Sequence, residues 1–236
     1  MDEREREARL EYAIRHTRVV RPPRQSLATF GTTVVRYHLV CEPVFADLNI
    51  PAARVETVVR DGTVTAERPQ VVTPSYLSRL EGFGENAREY LEQVVREHGP
   101  HAPGLLYAYR NEFSGTTIVS GGVGEVAGNI GSRLDREDRR LEAVIRGVDE
   151  LWDVSLLKFI FDLTTRSART NASELNAMGL LETREGVPKE ARQRIDLMLQ
   201  EARRGNMDPA AVHRELERWG LFEEYQDRFL RLFRRK

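Results

Sequence analysis

The sequence predicts an α+β fold: a mainly antiparallel sheet of about five strands carrying one or two helices, then a helical C-terminal region. Three observations carry this expectation. Val35, Tyr37 and Leu39 alternate with Arg36 and His38, the period of a strand with one buried face. Asp61-Gly62 separates two runs rich in Val and Thr, which reads as a hairpin. From Asp135 onward, apolar residues recur every three or four positions, as in helices that bury one side. The expected division is a charged arm or helix over 1–24, an α+β domain over 25–134 and a helical domain or extension over 135–236.

The elements follow in chain order. Residues 2–18 alternate acidic and basic side chains, as on a solvated helix, with Leu10, Ile14 and Ala13 as a narrow apolar stripe. Pro22 and Pro23 end it, because proline lacks an amide donor and clashes with the preceding turn. A strand covers 29–40. Residues 54–60 and 63–67 are the arms of the expected hairpin, since an Asp-Gly pair supplies the positive φ angles of a type I′ turn. Pro69 ends the second arm or places it on an edge. Thr73-Pro74 reads as a helix start, a capping hydroxyl followed by proline at the first helical position. That helix runs to His98 with a break near Gly82 and Gly84. It buries Tyr90, Leu91, Val94 and Val95, and Gly99-Pro100 stops it.

Residues 105–113 and 116–120 read as two strands around Ser114-Gly115. Leu141, Val144, Ile145, Val148, Leu151, Trp152, Leu156, Phe159, Ile160 and Leu163 share helical spacing, as one long helix or two meeting near Gly147. Residues 171–178 form a short helix with Gly179 as its C-cap, and 188–202 and 209–233 complete a helical tail. In the last segment Val212, Leu216, Trp219, Phe222, Tyr225, Phe229, Leu232 and Phe233 make an apolar stripe. It requires a cover, either the domain itself or a partner.

Composition narrows the function classes. Lysine and arginine total 36 against 37 acids, a net charge of −1, so no global field draws the chain to nucleic acid or membrane. The cations are nearly all arginine; the lysines are Lys158, Lys189 and Lys236. Cys41 is the single cysteine, so no internal disulfide forms, consistent with a reducing compartment. Residues 1–10 are densely charged and lack the apolar core of a signal peptide. No apolar run approaches the roughly 18–20 residues that span a bilayer. A cytoplasmic protein without membrane association is expected.

Four patterns are candidates for function. Gly122, Gly124 and Gly128 follow a β-prone run in a G-x-G-x-x-x-G spacing, which would let backbone amides approach a nucleotide phosphate at a helix start. Such a site also needs a second parallel strand ending in an acid; residues 141–148 with Asp149 could be that strand only against their helical spacing. The glycines then read as a joint between the two halves. In the second pattern, the stretch SELNAMGLLETREG resembles the exit of a recognition helix into the wing of winged-helix regulators. That resemblance covers the element at 150–186 and implies DNA contacts from Arg166, Arg169, Thr170, Asn171 and Ser173; Glu174, Glu182 and Glu185 oppose it. In the third, Arg36 and His38 share one strand face, and Arg110 and Glu112 share one of theirs. Aligned in one sheet, the four form an anion- or ligand-binding face. The fourth is the C-terminal apolar stripe.

Histidine and cysteine assemble no catalytic set: His38 and Cys41 point to opposite faces of one strand, His98 and His101 lack partners for a metal site, and His213 belongs to a packing helix. No cofactor or metal is expected. The reading that results is a non-catalytic interaction or regulatory protein whose C-terminal helices dock a protein partner or a second copy. The alternatives are a DNA-binding regulator and a nucleotide-binding enzyme or sensor.

Overall fold

A computed structural model describes residues 3–42, 56–80 and 85–233. The fold is α+β, and its contacts divide it into two compact units, residues 1–68 with 107–171 and residues 69–106 with 172–236. The first unit holds α1 (Glu3–His16), β1 (Arg18–Arg21), β2 (Thr33–Glu42), β3 (Glu56–Ala66), β6 (Tyr109–Ser120), α4 (Val123–Arg136) and β7 (Glu142–Val148). The second holds β4 (Gln70–Val72), α2 (Pro74–Leu77), α3 (Glu85–His98), β5 (Gly104–Leu106), β8 (Thr183–Arg184), β9 (Val187–Pro188), α6 (Lys189–Arg204), α7 (Pro209–Trp219) and α8 (Phe222–Leu230). The division falls within α5 (Trp152–Ala177).

The five-stranded sheet has the order β1-β7-β2-β3-β6. β2 and β7 are parallel, and the other three pairings are antiparallel. Alternation along β2 sends Val35, Tyr37, Leu39 and Cys41 into a core with Leu156, Phe159 and Leu163 of α5. Val40 of β2, Val59 and Val144 meet Val123, Val126, Ala127 and Leu134 of α4 on the opposite face. The sheet is therefore covered by one helix on each face, the geometry that a parallel β2–β7 pair requires.

Four local expectations give way to this arrangement. Asp61-Gly62 is not a hairpin turn. β3 continues through it, pairing Gly62 with Tyr37 on one side and Phe113 on the other. The residues from 43 to 55, which include the expected start of the first arm, lie outside the described residues. Ser114-Gly115 does not separate two strands either. β6 runs through it, and Ser114 is skipped in the register, Asp61 facing Gly115 and Gly62 facing Phe113. Both turn signals thus mark one β-bulge, where an extra residue is absorbed and the strand twists.

The helix expected over 141–163 begins late. Residues Glu142–Val148 are β7, between β1 and β2, followed by a 3-10 turn at Asp149–Leu151 and then α5. Ala143, Val144 and Ile145 are all buried because a central strand covered on both faces has no polar side to alternate with. Residues 171–178 are not a separate helix; α5 includes them up to Ala177. Beyond it Gly179 takes φ +66°, as expected of a helix-ending glycine.

The remaining expectations divide. Thr73 caps α2, its hydroxyl accepting from the Tyr76 amide, with Pro74 at the first position. The expected break at Gly82 and Gly84 lies outside the described residues. In α3, Tyr90 is exposed and Val94 and Val95 are only half-buried, while the side chain of Leu91 lies outside the described residues. In α1 only Ala13 is buried, while Leu10 and Ile14 face solvent. The C-terminal stripe turns inward: Val212, Leu216, Trp219, Tyr225 and Phe229 form one core with Ile195 and Leu199 of α6 and Val72 and Tyr76.

Candidate functional site

The sheet register brings the expected polar face together. β3 lies between β2 and β6, and Arg36, Thr63 and Glu112 occupy one row across the three strands. Arg110 lies in the next row, opposite Thr65, which pairs with Val34. The side chains do not converge on a ligand. Arg110 Nε sits 3.1 Å from Glu112 Oε1 in an exposed pair, and Arg36 is exposed. His38 is buried and held from both sides, Nδ1 at 2.6 Å from Asp61 Oδ1 and Nε2 at 3.3 Å from Glu142 Oε2. The arrangement ties β2 to β3 and β7, and its two acids were not legible beforehand because they come from other strands.

The glycine-rich segment forms the start and body of α4. Gly122 is the N-cap residue, Gly124, Gly128 and Gly131 are helical, and the strand that follows is β7 with Asp149 just beyond. A Cβ at Gly122, Gly124 or Gly128 would meet nothing within 4 Å, so no close approach within the described structure demands them. Asp149 is engaged by Arg60 Nε at 2.8 Å. A helical glycine in open space costs backbone entropy without return. Gly124→Ala and Gly128→Ala are therefore each expected to stabilise the fold by about 0.5–1 kcal/mol, read by urea denaturation. A loss of stability at either position would show that the glycine serves a packing purpose not visible in the helix.

The expected DNA-contacting residues lie along α5. Arg166, Arg169, Thr170 and Ser173 are exposed. Asn171 is not available: it is fully buried. Its Nδ2 donates to Leu27 O at 2.9 Å and Thr29 Oγ1 at 2.7 Å, and its Oδ1 accepts from the Tyr107 hydroxyl at 2.7 Å. This side chain fastens the segment before β2 to the helix. The wing-like stretch is a hairpin of β8 and β9, turning at Glu185-Gly186 with φ angles of 54° and 78°. Positive φ at both positions belongs to a type I′ turn, the turn that local sequence had suggested for Asp61-Gly62.

No protein-family model, curated protein or solved structure matches this chain. The chemistry therefore rests on the side chains alone. Among the described residues no group of three or more His, Cys, Asp or Glu side chains could hold a metal ion. Cys41 is fully buried, and burial pushes its thiol up to about 12, with Asp149 adding to the shift. It stays neutral and is a poor nucleophile at ordinary pH. His213 packs edge-on against Phe222 and at a tilt against Phe229, beside an open groove of about 460 Å³ that Asp208, Arg214 and Phe233 also line. No helix among the described residues is long and apolar enough to cross a membrane.

The least satisfied surface is the β6 edge of the sheet. The β1 edge is blunted: four residues, two of them arginines, with a register shift. β6 has twelve residues, none of them buried, and contains neither proline nor lysine. Its only charges are Arg110 and Glu112, at one end. Phe113 and Ile118, 50% and 64% exposed, share the α5 side of the sheet because Phe113 faces Gly62, opposite Tyr37, and Ile118 faces Val58. α5 borders this edge: Trp152 packs at a tilt against Phe113 with centroids 5.9 Å apart, and Thr164 bonds the Tyr109 hydroxyl. Leu157 lies two turns before Thr164, hence on the same side of the helix, and Phe161 is one turn further on. They are 66% and 69% exposed. The signal that could have revealed this edge is the uncharged, β-prone run FSGTTIVS.

Proposed function

We propose that this chain is a non-catalytic interaction protein, docking a partner or another copy of itself, and that its docking face is the β6 edge with the adjoining side of α5. The observation that carries this is a twelve-residue edge strand with no buried residue and charged only at one end. Protected edges are short, charged, bulged or interrupted by proline; the β1 edge is short and charged, whereas β6 is long, carries one bulge at Ser114 and has no charge or proline beyond Glu112. An open edge offers a row of backbone donors and acceptors to an added strand, and apolar side chains beside it add affinity. Most of the C-terminal stripe that first suggested docking lies in the core of the second unit, with Phe233 left exposed, and the longer open face lies on the first. Of the two candidate groups on β2, His38 is engaged by two acids and Cys41 is buried.

The test uses a photo-reactive residue placed singly at Ile118, at Phe161 or, as a control, at exposed Glu137 in the full chain inside the cells that make it. Adducts of defined mass at 118 and 161, without one at 137, are expected. Absence of adducts at both 118 and 161 would overturn the reading.

A further inference from the structure

Resting on that reading, we infer that the occupant of the β6 edge is a second copy of this chain, added as an antiparallel strand across a two-fold axis at Thr116, with the bulged Ser114 of each copy left out of the pairing. A two-fold strand pair must be self-complementary, and β6 is. About this axis Phe113 lies opposite Ile118 of the second copy, and Ile118 opposite its Phe113. The two large exposed apolar side chains of the strand thus cover each other twice. Glu112 falls opposite Val119, Asn111 opposite Ser120, and Arg110 beyond the paired stretch. No like charges meet, which directly opposed strands would penalise.

The small residues Ser114, Gly115, Thr116 and Thr117 occupy the centre, where the two backbones approach most closely. A shorter overlap centred on Asn111 would pair Arg110 with Glu112 of the second copy. It would use only the first five residues of β6 and leave Ile118 uncovered.

A two-fold of this kind joins the two sheets into one of ten strands and keeps both α5 helices on the same face. Leu157 and Phe161 of each copy then flank the join, on the side of α5 that borders β6. A paired edge of this length lies toward the small end of specific interfaces, about 800 Å² per partner being standard. The association is therefore weak enough to titrate in solution.

Light scattering on the purified full chain, across about a hundredfold range of concentration, is expected to show a monomer–dimer equilibrium. Ile118→Lys should raise its dissociation constant at least about tenfold, because a lysine on an edge strand opposes pairing. The register is read separately. A mixture of Phe113→Cys and Ile118→Cys proteins should form an intermolecular disulfide under mild oxidation, and neither protein alone should, since only opposed residues bring their Cβ atoms close enough. Buried Cys41 does not compete. If either cysteine variant folds poorly by circular dichroism, Glu112→Cys with Val119→Cys tests the same register from the other face.

A chain that stays monomeric at every concentration, or cross-links equally without mixing, overturns the second copy as occupant. Photo-adducts at Ile118 to a different protein would then keep the docking face while replacing its occupant, and absence of adducts would remove both.

Discussion

Replacing Arg194 by alanine is expected to cost the second unit about 3–5 kcal/mol, enough to unfold it or leave it marginal, since whole domains hold only about 5–15 kcal/mol. Arg194 is buried between two buried acids, Nη1 at 2.7 Å from Glu190 Oε2 and Nη2 at 2.8 Å from Glu215 Oε1. The network is well satisfied. Trp219 Nε1 donates to Glu215 Oε1 at 3.0 Å, the Tyr76 hydroxyl to Glu215 Oε2 at 3.1 Å, and the Val71 amide to Glu190 Oε2 at 3.2 Å. It therefore joins α6 to α7, α2 and β4 in one step.

Removing the guanidinium leaves two carboxylates facing each other away from water, with Arg218 at 3.8 Å from Glu215 as partial relief. The measurement is urea denaturation of the full chain carrying Trp152→Phe, so that Trp219 alone reports. An Arg194→Met/Glu190→Gln/Glu215→Gln variant, which removes every charge, should recover much of the loss. A single Arg194→Ala variant within about 1 kcal/mol of the parent would show that the buried charges are relieved by water instead.

Gly62→Ala is the second large effect. A Cβ there would stand 2.5 Å from Tyr37 Cζ and 2.8 Å from the Glu112 carbonyl oxygen, and closer still to the Tyr37 hydroxyl. Tyr37 cannot withdraw, being fully buried in the α5-side core with its hydroxyl donating to Asn111 Oδ1 at 3.1 Å. Overpacking of this kind costs about 1–3 kcal/mol, and the rigid bulge places Gly62→Ala at the upper end. Tyr37→Leu should rescue it in part, so the double variant is less destabilised than the sum of the two. Chemical denaturation of the four proteins measures the coupling. Strict additivity would mean that Gly62 is needed for its backbone conformation alone.

That coupling also shows where local reading stops. Asp61-Gly62 and Ser114-Gly115 carry turn chemistry, and nothing within ten residues of either says otherwise. What makes Gly62 a strand residue is the Tyr37 ring on β2. What makes Ser114 a bulge is β3 continuing past it. The helical spacing of Leu141, Val144, Ile145 and Val148 likewise arises on a strand, because β7 lies between β1 and β2 under helices on both faces and needs no polar alternation. The polar face was legible to the row: Arg36 and Glu112 do share one. Its partners were not, since Asp61 and Glu142 reach His38 from separate strands.

The sequence by itself determined the α+β class, the face that β2 buries, the Thr73 cap and proline start of α2, and the C-terminal helices with their apolar stripe. Each of these rests on interactions within about one turn or one strand, where side-chain period and backbone preference suffice. Only the tertiary structure decided that the stripe closes on its own unit, that the glycine-rich segment is a helix, and that β6 is left at the edge. Those outcomes depend on which strand pairs with which, a choice made by burial between residues far apart in the chain. The open edge is the consequence that bears on function. Whether a strand is central or marginal is a property of its neighbours, and FSGTTIVS would read the same in either place.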